Sequence, residues 1–230
     1  MYKIIRYSES DIMSDLICEN YPMLLVMSRF GISLGFGDSS ILKVCQENKV
    51  DVKTFLAVVN LLVDDDSYVP DDISEISLVS LLGYLKNSHK YFLEFRFPII
   101  RQELMKAIDY GKTDVSKVII RFYDEYVVEV RRHMNYEEDN LFPYVDKLIA
   151  GEKQKSYNIG VFSRQHDKID TKLSELKDII IKYFPAEGTN ELNATLFDIF
   201  SCSQDLASHN KIEDALFVPI VEILEKKLKH

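Results

Sequence analysis

The stretch "HMNYEEDNLFP", residues 133–143, has a second version near the C-terminus, "HNKIEDALFVP", residues 209–219. Each places an acid four residues after its His, Glu137 after His133 and Glu213 after His209. Each places a Pro ten residues after it, Pro143 and Pro219. One turn before each His stands a further acid, Glu129 or Asp205. On an α-helix, residues i and i+4 share a face. Each copy therefore reads as a helix presenting an acid–His–acid column.

The repeat extends outward from these stretches. The helical pattern before each copy carries a single His, His89 in "NSHKYFLEF" and His166 in "RQHDKIDTKL". The spacing from lone His to motif His is 44 residues in the first copy and 43 in the second. The copies are offset by 77 and 76 residues. This half of the chain thus reads as a duplicated helical hairpin, in which each hairpin supplies one lone His and one His-x-x-x-Glu. The fifth His, His230, is the last residue and reads as solvent-facing.

The bulk composition agrees with helices. The chain has 230 residues and is 47% hydrophobic, with only 8 Gly and 6 Pro. Scarce breakers in a Leu-, Ile-, Glu- and Lys-rich chain favour helix over strand. Four long patterns are expected, at about 77–110 (kinked at Pro98), 114–150, 159–184 and 190–229. Their lengths and short connections point to an up-down four-helix bundle. The acidic, Pro-bearing stretch "LVDDDSYVPDDISEIS", 62–77, breaks the periodicity and reads as a linker. The expected organisation is a small helical N-terminal domain over 1–66, a linker over 67–76 and the bundle over 77–230. Within the first segment, four short helices are expected. Ser10 caps the first, Pro22 opens the second, Asp38 or Ser39 caps the third, and Asp51 caps the fourth.

The same composition narrows the partners. A net charge of −9 with dispersed basic residues argues against nucleic acid. No apolar run approaches the roughly 20 residues that span a bilayer. The N-terminus turns polar too early for a signal peptide. Cys18, Cys45 and Cys202 are odd in number and widely spaced, which fits reduced core thiols in a cytoplasmic protein. Cys202 lies two turns before His209 and reads as packing.

Four imidazoles and two carboxylates converging inside a bundle call for cations, because an uncompensated buried carboxylate costs several kcal/mol. Imidazole with carboxylate suits iron, manganese or zinc, and bundle cores with such ligands typically hold di-iron centres. Six protein ligands on two metals leave positions for water, an oxo group or a small diatomic. Glu138 follows Glu137 directly. A step of about 100° per residue turns it away from His133 and makes it a surface charge. Tyr84, Tyr91, Phe92, Tyr126, Phe142 and Phe162 stand where aromatics either line the site or fill the core.

On these residues the 77–230 half resembles a haemerythrin-like domain. The whole chain resembles the repair-of-iron-centres family, di-iron proteins that restore iron–sulfur clusters after nitrosative or oxidative damage. The resemblance implies an all-α fold, a haemerythrin-like up-down four-helix bundle preceded by a small helical domain. It implies two Fe ions, oxo- or hydroxo-bridged, held by His89, His133, Glu137, His166, His209 and Glu213, with the two glutamates bridging. It matches Glu129 to the family's additional acid, with Asp205 its counterpart. Oxygen-carrying haemerythrins instead use a fifth His and an Asp five residues after the last one. Position 214 is an Asp, but Glu213 has the spacing of the other copy. "YPMLLVMSRFGISLGFGDSSILKVC" resembles the family's N-terminal domain, with Gly35 and Phe36 where the family has adjacent cysteines.

Three functions follow from the resemblance. One is iron-centre repair or stress defence, acting on damaged iron–sulfur proteins or binding NO or O2 at an open coordination position. The second is an O2 or NO sensor without catalysis, which the missing cysteine pair favours. The third is a redox enzyme acting on a small molecule.

Overall fold

The computed structural model describes residues 6–64, 73–109, 111–152, 157–162, 169–184 and 189–229. The fold is all-α; among these residues the one β feature is an isolated bridge between Ile12 and Ser40. Four short helices come first: α1 (Met13–Glu19), α2 (Met23–Arg29), α3 (Ile41–Glu47) and α4 (Val52–Val63). Then follow α5 (Leu78–Lys90), α6 (Phe97–Ala107), α7 (Asp114–Tyr136), α8 (Phe142–Ile149), α9 (Ile169–Tyr183), α10 (Asn190–Ile212) and α11 (Val218–Lys229).

Helix starts follow capping chemistry in part. Asp51 accepts the Thr54 N–H at 2.8 Å, and Thr113 accepts the Ser116 N–H at 3.0 Å. Two expected caps are displaced. The third helix is capped by Ser40, which accepts the Lys43 N–H at 3.3 Å, rather than by Asp38 or Ser39. The first helix begins after Ile12 with no side-chain cap, not at Ser10. There the Ile41 N–H donates to the Asp11 carbonyl at 2.8 Å and the Met13 N–H to the Ser39 carbonyl at 3.1 Å. The pairing of the two chain segments sets both helix starts.

Three long patterns do not run as plain α-helix. Between α5 and α6, α7 and α8, and α10 and α11 the chain widens into π-helix, at Tyr91–Arg96, Glu137–Leu141 and Glu213–Phe217. In each, the residue just before a proline donates five residues back: Phe97 to Phe92, Phe142 to Glu137, Val218 to Glu213. Pro98, Pro143 and Pro219 come next. Proline has no N–H, so the α-type bond it would donate is lost, and its ring crowds the carbonyl four back. A widened turn accommodates this. The expected kink at Pro98 is a π-segment, and the prolines of the repeated stretch mark the other two.

By compactness the chain divides into two units, Met1–Ser88 with Lys147–Lys153 and Lys211–His230, and His89–Asp146 with Gln154–Asn210. The division crosses α5, α8 and α10 and does not follow the acidic stretch, of which residues 65–72 lie outside the described residues. The second unit is a four-helix core. Phe92, Phe97, Ile100 and Leu104 pack with Ile119, Tyr123, Tyr126 and Val130 of α7, Leu173, Leu176 and Ile180 of α9, and Ile199, Cys202 and Leu206 of α10. Spacings of three and four put these on one face of each helix. Each fully buried large side chain contributes about 1.5–3 kcal/mol. The Tyr123 hydroxyl donates to the Phe97 carbonyl at 2.9 Å, and Arg101 pairs with Asp124 through 2.7 and 2.9 Å bonds.

In the first unit the N-terminal helices hold α5 from its start to Asn87. Phe30 packs on Phe55 and Tyr84, with ring centroids 5.5 and 4.9 Å apart. The Ser77 N–H donates to Thr54 Oγ1 at 2.8 Å, and the Asn87 amide donates to the Arg29 carbonyl at 2.8 Å.

Candidate metal centre

Helix α7 and the π-segment after it place His133 and Glu137 one turn apart. His133 Nε2 lies 2.8 Å from Glu137 Oε1. The other Glu137 oxygen lies 2.9 Å from Nε2 of His89, near the end of α5. His209, on α10, packs its ring edge against His89 with centroids 5.2 Å apart. One ligand atom from each of His89, Glu137 and His209 lies within 4.8 Å of the others, and Glu213 is the fourth member of this group. Continuous helix carries Glu213 one turn beyond His209. All four residues are buried, and the two glutamates are wholly so.

Five of the six residues expected from the sequence are therefore described, and they stand together. The sixth, His166, lies outside the described residues, as does His230. Glu129 and Asp205 are half-buried one turn before their histidines.

Aromatic side chains wall the group. Phe142 stacks on His89 at 5.3 Å and 19°, and Phe162 on His133 at 6.2 Å and 18°. Phe92 meets the His209 ring edge-on at 6.0 Å. Of the other aromatics expected near the site, Tyr84 packs on Phe30 and Tyr126 on Phe97, both core roles. Tyr91 packs against Phe92 and Phe95. Beside Glu137, the Tyr136 and Tyr157 hydroxyls stand 3.2 Å apart. Burial, then the bond to Tyr136, push the Tyr157 hydroxyl above its ordinary range, so it stays a neutral phenol at any physiological pH.

The donor set fits a metal ion. Two wholly buried carboxylates amid imidazoles need positive charge, and nitrogen with oxygen donors at this spacing suits a borderline divalent cation. Residues 80–221 match the Hemerythrin HHE cation binding domain. The chain belongs to the haemerythrin family. No curated protein matches the chain. In a haemerythrin-like chain this buried His/Glu group is a metal site of the kind that takes iron. Among the described residues no helix is long and apolar enough to cross a membrane.

Glu138, expected from spacing to be a surface charge, is 38% exposed and has a partner within the buried group. Its Oε1 lies 3.0 Å from His89 Nδ1. Its partner stands on α5, 49 residues away in the chain. Helical counting along one segment has no access to a partner on another helix, and no spacing in the sequence signals it.

Proposed function

We propose that this chain is a cytoplasmic non-haem di-iron protein that binds a small diatomic ligand, NO or O2, in iron–sulfur cluster repair or in defence against nitrosative and oxidative stress. The observation that carries the reading is the buried convergence of His89, Glu137, His209 and Glu213, with His133 on the same carboxylate as His89. His166 completes the set by the sequence repeat, giving each copy two imidazoles and one carboxylate.

Bound iron supplies a redox-capable Lewis acid with coordination positions that the six protein ligands leave open. The chain's own residues do the rest. Glu137 and Glu213 supply negative charge inside the bundle. Phe92, Phe142 and Phe162 keep water from the imidazoles. His89 and His209 are shut from solvent, whereas the His133 side chain is 13% exposed.

A second reading is a sensor of the same ligands without catalysis. The N-terminal loop has Gly35 and Phe36 where the resembled family has adjacent cysteines, which removes a thiol step. In addition, the end of α2 bonds to Asn87, two residues before His89 on α5. A shift of that helix therefore reaches the small helices.

Metal analysis with an optical spectrum, on protein purified without chelator, tests the centre. The expected result is two irons per chain and near-ultraviolet absorption of an oxo-bridged ferric pair. Zinc, or a single iron, would refute it. Anaerobic exposure to NO with product analysis separates catalyst from sensor, and restoration of a damaged iron–sulfur enzyme in vitro separates repair from both.

A further inference from the structure

His89 is gripped from both edges by successive residues of another helix. Glu137 Oε2 stands 2.9 Å from its Nε2, and Glu138 Oε1 stands 3.0 Å from its Nδ1. The His89 side chain is 3% exposed, whereas Glu138 is 38% exposed. The pair therefore runs from the buried group to the protein surface through one imidazole.

We propose that Glu138 is the positioning residue for His89: its carboxylate accepts the Nδ1–H and leaves the Nε2 lone pair directed at the metal position beside Glu137. A neutral imidazole carries one N–H, and whichever nitrogen holds it cannot ligate. A carboxylate beside Nδ1 fixes the proton there, orients the ring and raises the basicity of Nε2. Phe142, stacked on one face of the ring, prevents it from tipping out of this plane. The inference rests on the metal reading of the site above.

Two adjacent residues serve one ring because they meet different edges of it. Successive side chains on a helix diverge by about 100°, and the Glu137 backbone is α-helical, φ −66° and ψ −46°. One carboxylate therefore reaches Nε2 and the next reaches Nδ1 of the same imidazole on α5. Pro143 keeps the π-segment from closing into α-helix. The string Glu137-Glu138 thus divides one task, the first carboxylate beside the metal position and the second behind the imidazole. The second copy also sets an acid, Asp214, directly after Glu213.

The test uses iron-loaded full-length protein. Iron release to excess chelator and the optical spectrum are measured for wild type, Glu138→Ala, Glu138→Gln and Asp139→Asn, with melting temperatures of the metal-free forms. Loss of a residue that orients a metal-bound His typically weakens metal binding roughly 10- to 100-fold. Glu138→Ala is expected to release iron faster by that factor, with a shifted spectrum and an unchanged metal-free melting temperature. Glu138→Gln, whose amide oxygen still accepts the bond, should recover most of the wild-type rate. Asp139→Asn removes an exposed charge one residue on and should behave as wild type.

Wild-type release and spectrum in Glu138→Ala would overturn the proposal. So would faster release in Asp139→Asn, or in Glu138→Gln to the extent of Glu138→Ala, because either result makes the effect one of charge alone. If Glu138→Ala lowers the metal-free melting temperature, Glu138→Gln against Asp139→Asn decides. A wild type that holds no iron sinks the metal centre itself, and this inference with it.

Discussion

His89 and Glu137 are 48 residues apart in the chain, yet His89 Nε2 lies 2.9 Å from Glu137 Oε2 in a site closed to solvent. The other oxygen of the same carboxylate faces His133 at 2.8 Å. One glutamate thus meets an imidazole from each helix of the first hairpin.

Glu137→Gln removes the charge that this arrangement needs while keeping the shape. Iron per chain should fall to half or less of wild type, read by metal analysis under identical purification. His133→Ala, His209→Ala and His166→Ala should each lower iron content and melting temperature together, because metal binding is also folding energy. Full iron retention in a His133→Ala, His209→Ala double variant would dismiss the ligand set.

The prolines after the π-segments predict a separable effect. Pro143→Ala restores an N–H that can donate to the Asp139 carbonyl. That net gain of about 1 kcal/mol favours closing the wide turn into α-helix. The residues after Glu137, Glu138 and Phe142 among them, would then shift relative to His89. Iron should bind more weakly while far-ultraviolet circular dichroism stays unchanged. Wild-type iron affinity in Pro143→Ala would show that the wide turn does not depend on the proline.

Cutting the acidic stretch should leave the N-terminal helices held in place. A protease site engineered between residues 66 and 70 leaves intact the Phe30–Tyr84 packing, the Ser77–Thr54 bond and the Asn87–Arg29 bond. After cleavage the two fragments should co-elute in size-exclusion chromatography and separate only in denaturant. Separation under native conditions would make residues 1–66 an independent domain.

The thiols should differ in reactivity. Cys18 is exposed, whereas Cys45 and Cys202 are buried. Burial, then Asp51, push the Cys45 thiol up to about 12, so almost none is thiolate at pH 8. Native labelling with a thiol reagent at that pH should modify Cys18 alone within minutes, and all three in denaturant. Rapid native labelling of Cys45 would contradict its environment.

Much of this protein is legible in the chain itself. Helical periodicity and scarce Gly and Pro give the all-α class. The four-residue spacing gives the facing of His133 and Glu137, because i and i+4 share a helix face whatever the tertiary setting. The spacing of lone His and motif His pairs His89 with His133, which meet on one carboxylate; the second pair includes His166, outside the described residues. Tertiary structure decided the rest. Two helix starts moved because a pairing between residues 11–13 and 39–41, distant in sequence, overrode local capping. The compact units run across three helices, since contacts such as Asn87 with Arg29 pay no regard to an acidic stretch between them. The partner of Glu138 came from another helix. Helical counting along one chain fixes which way a residue points from its own axis, and only the packed bundle fixes what it finds there.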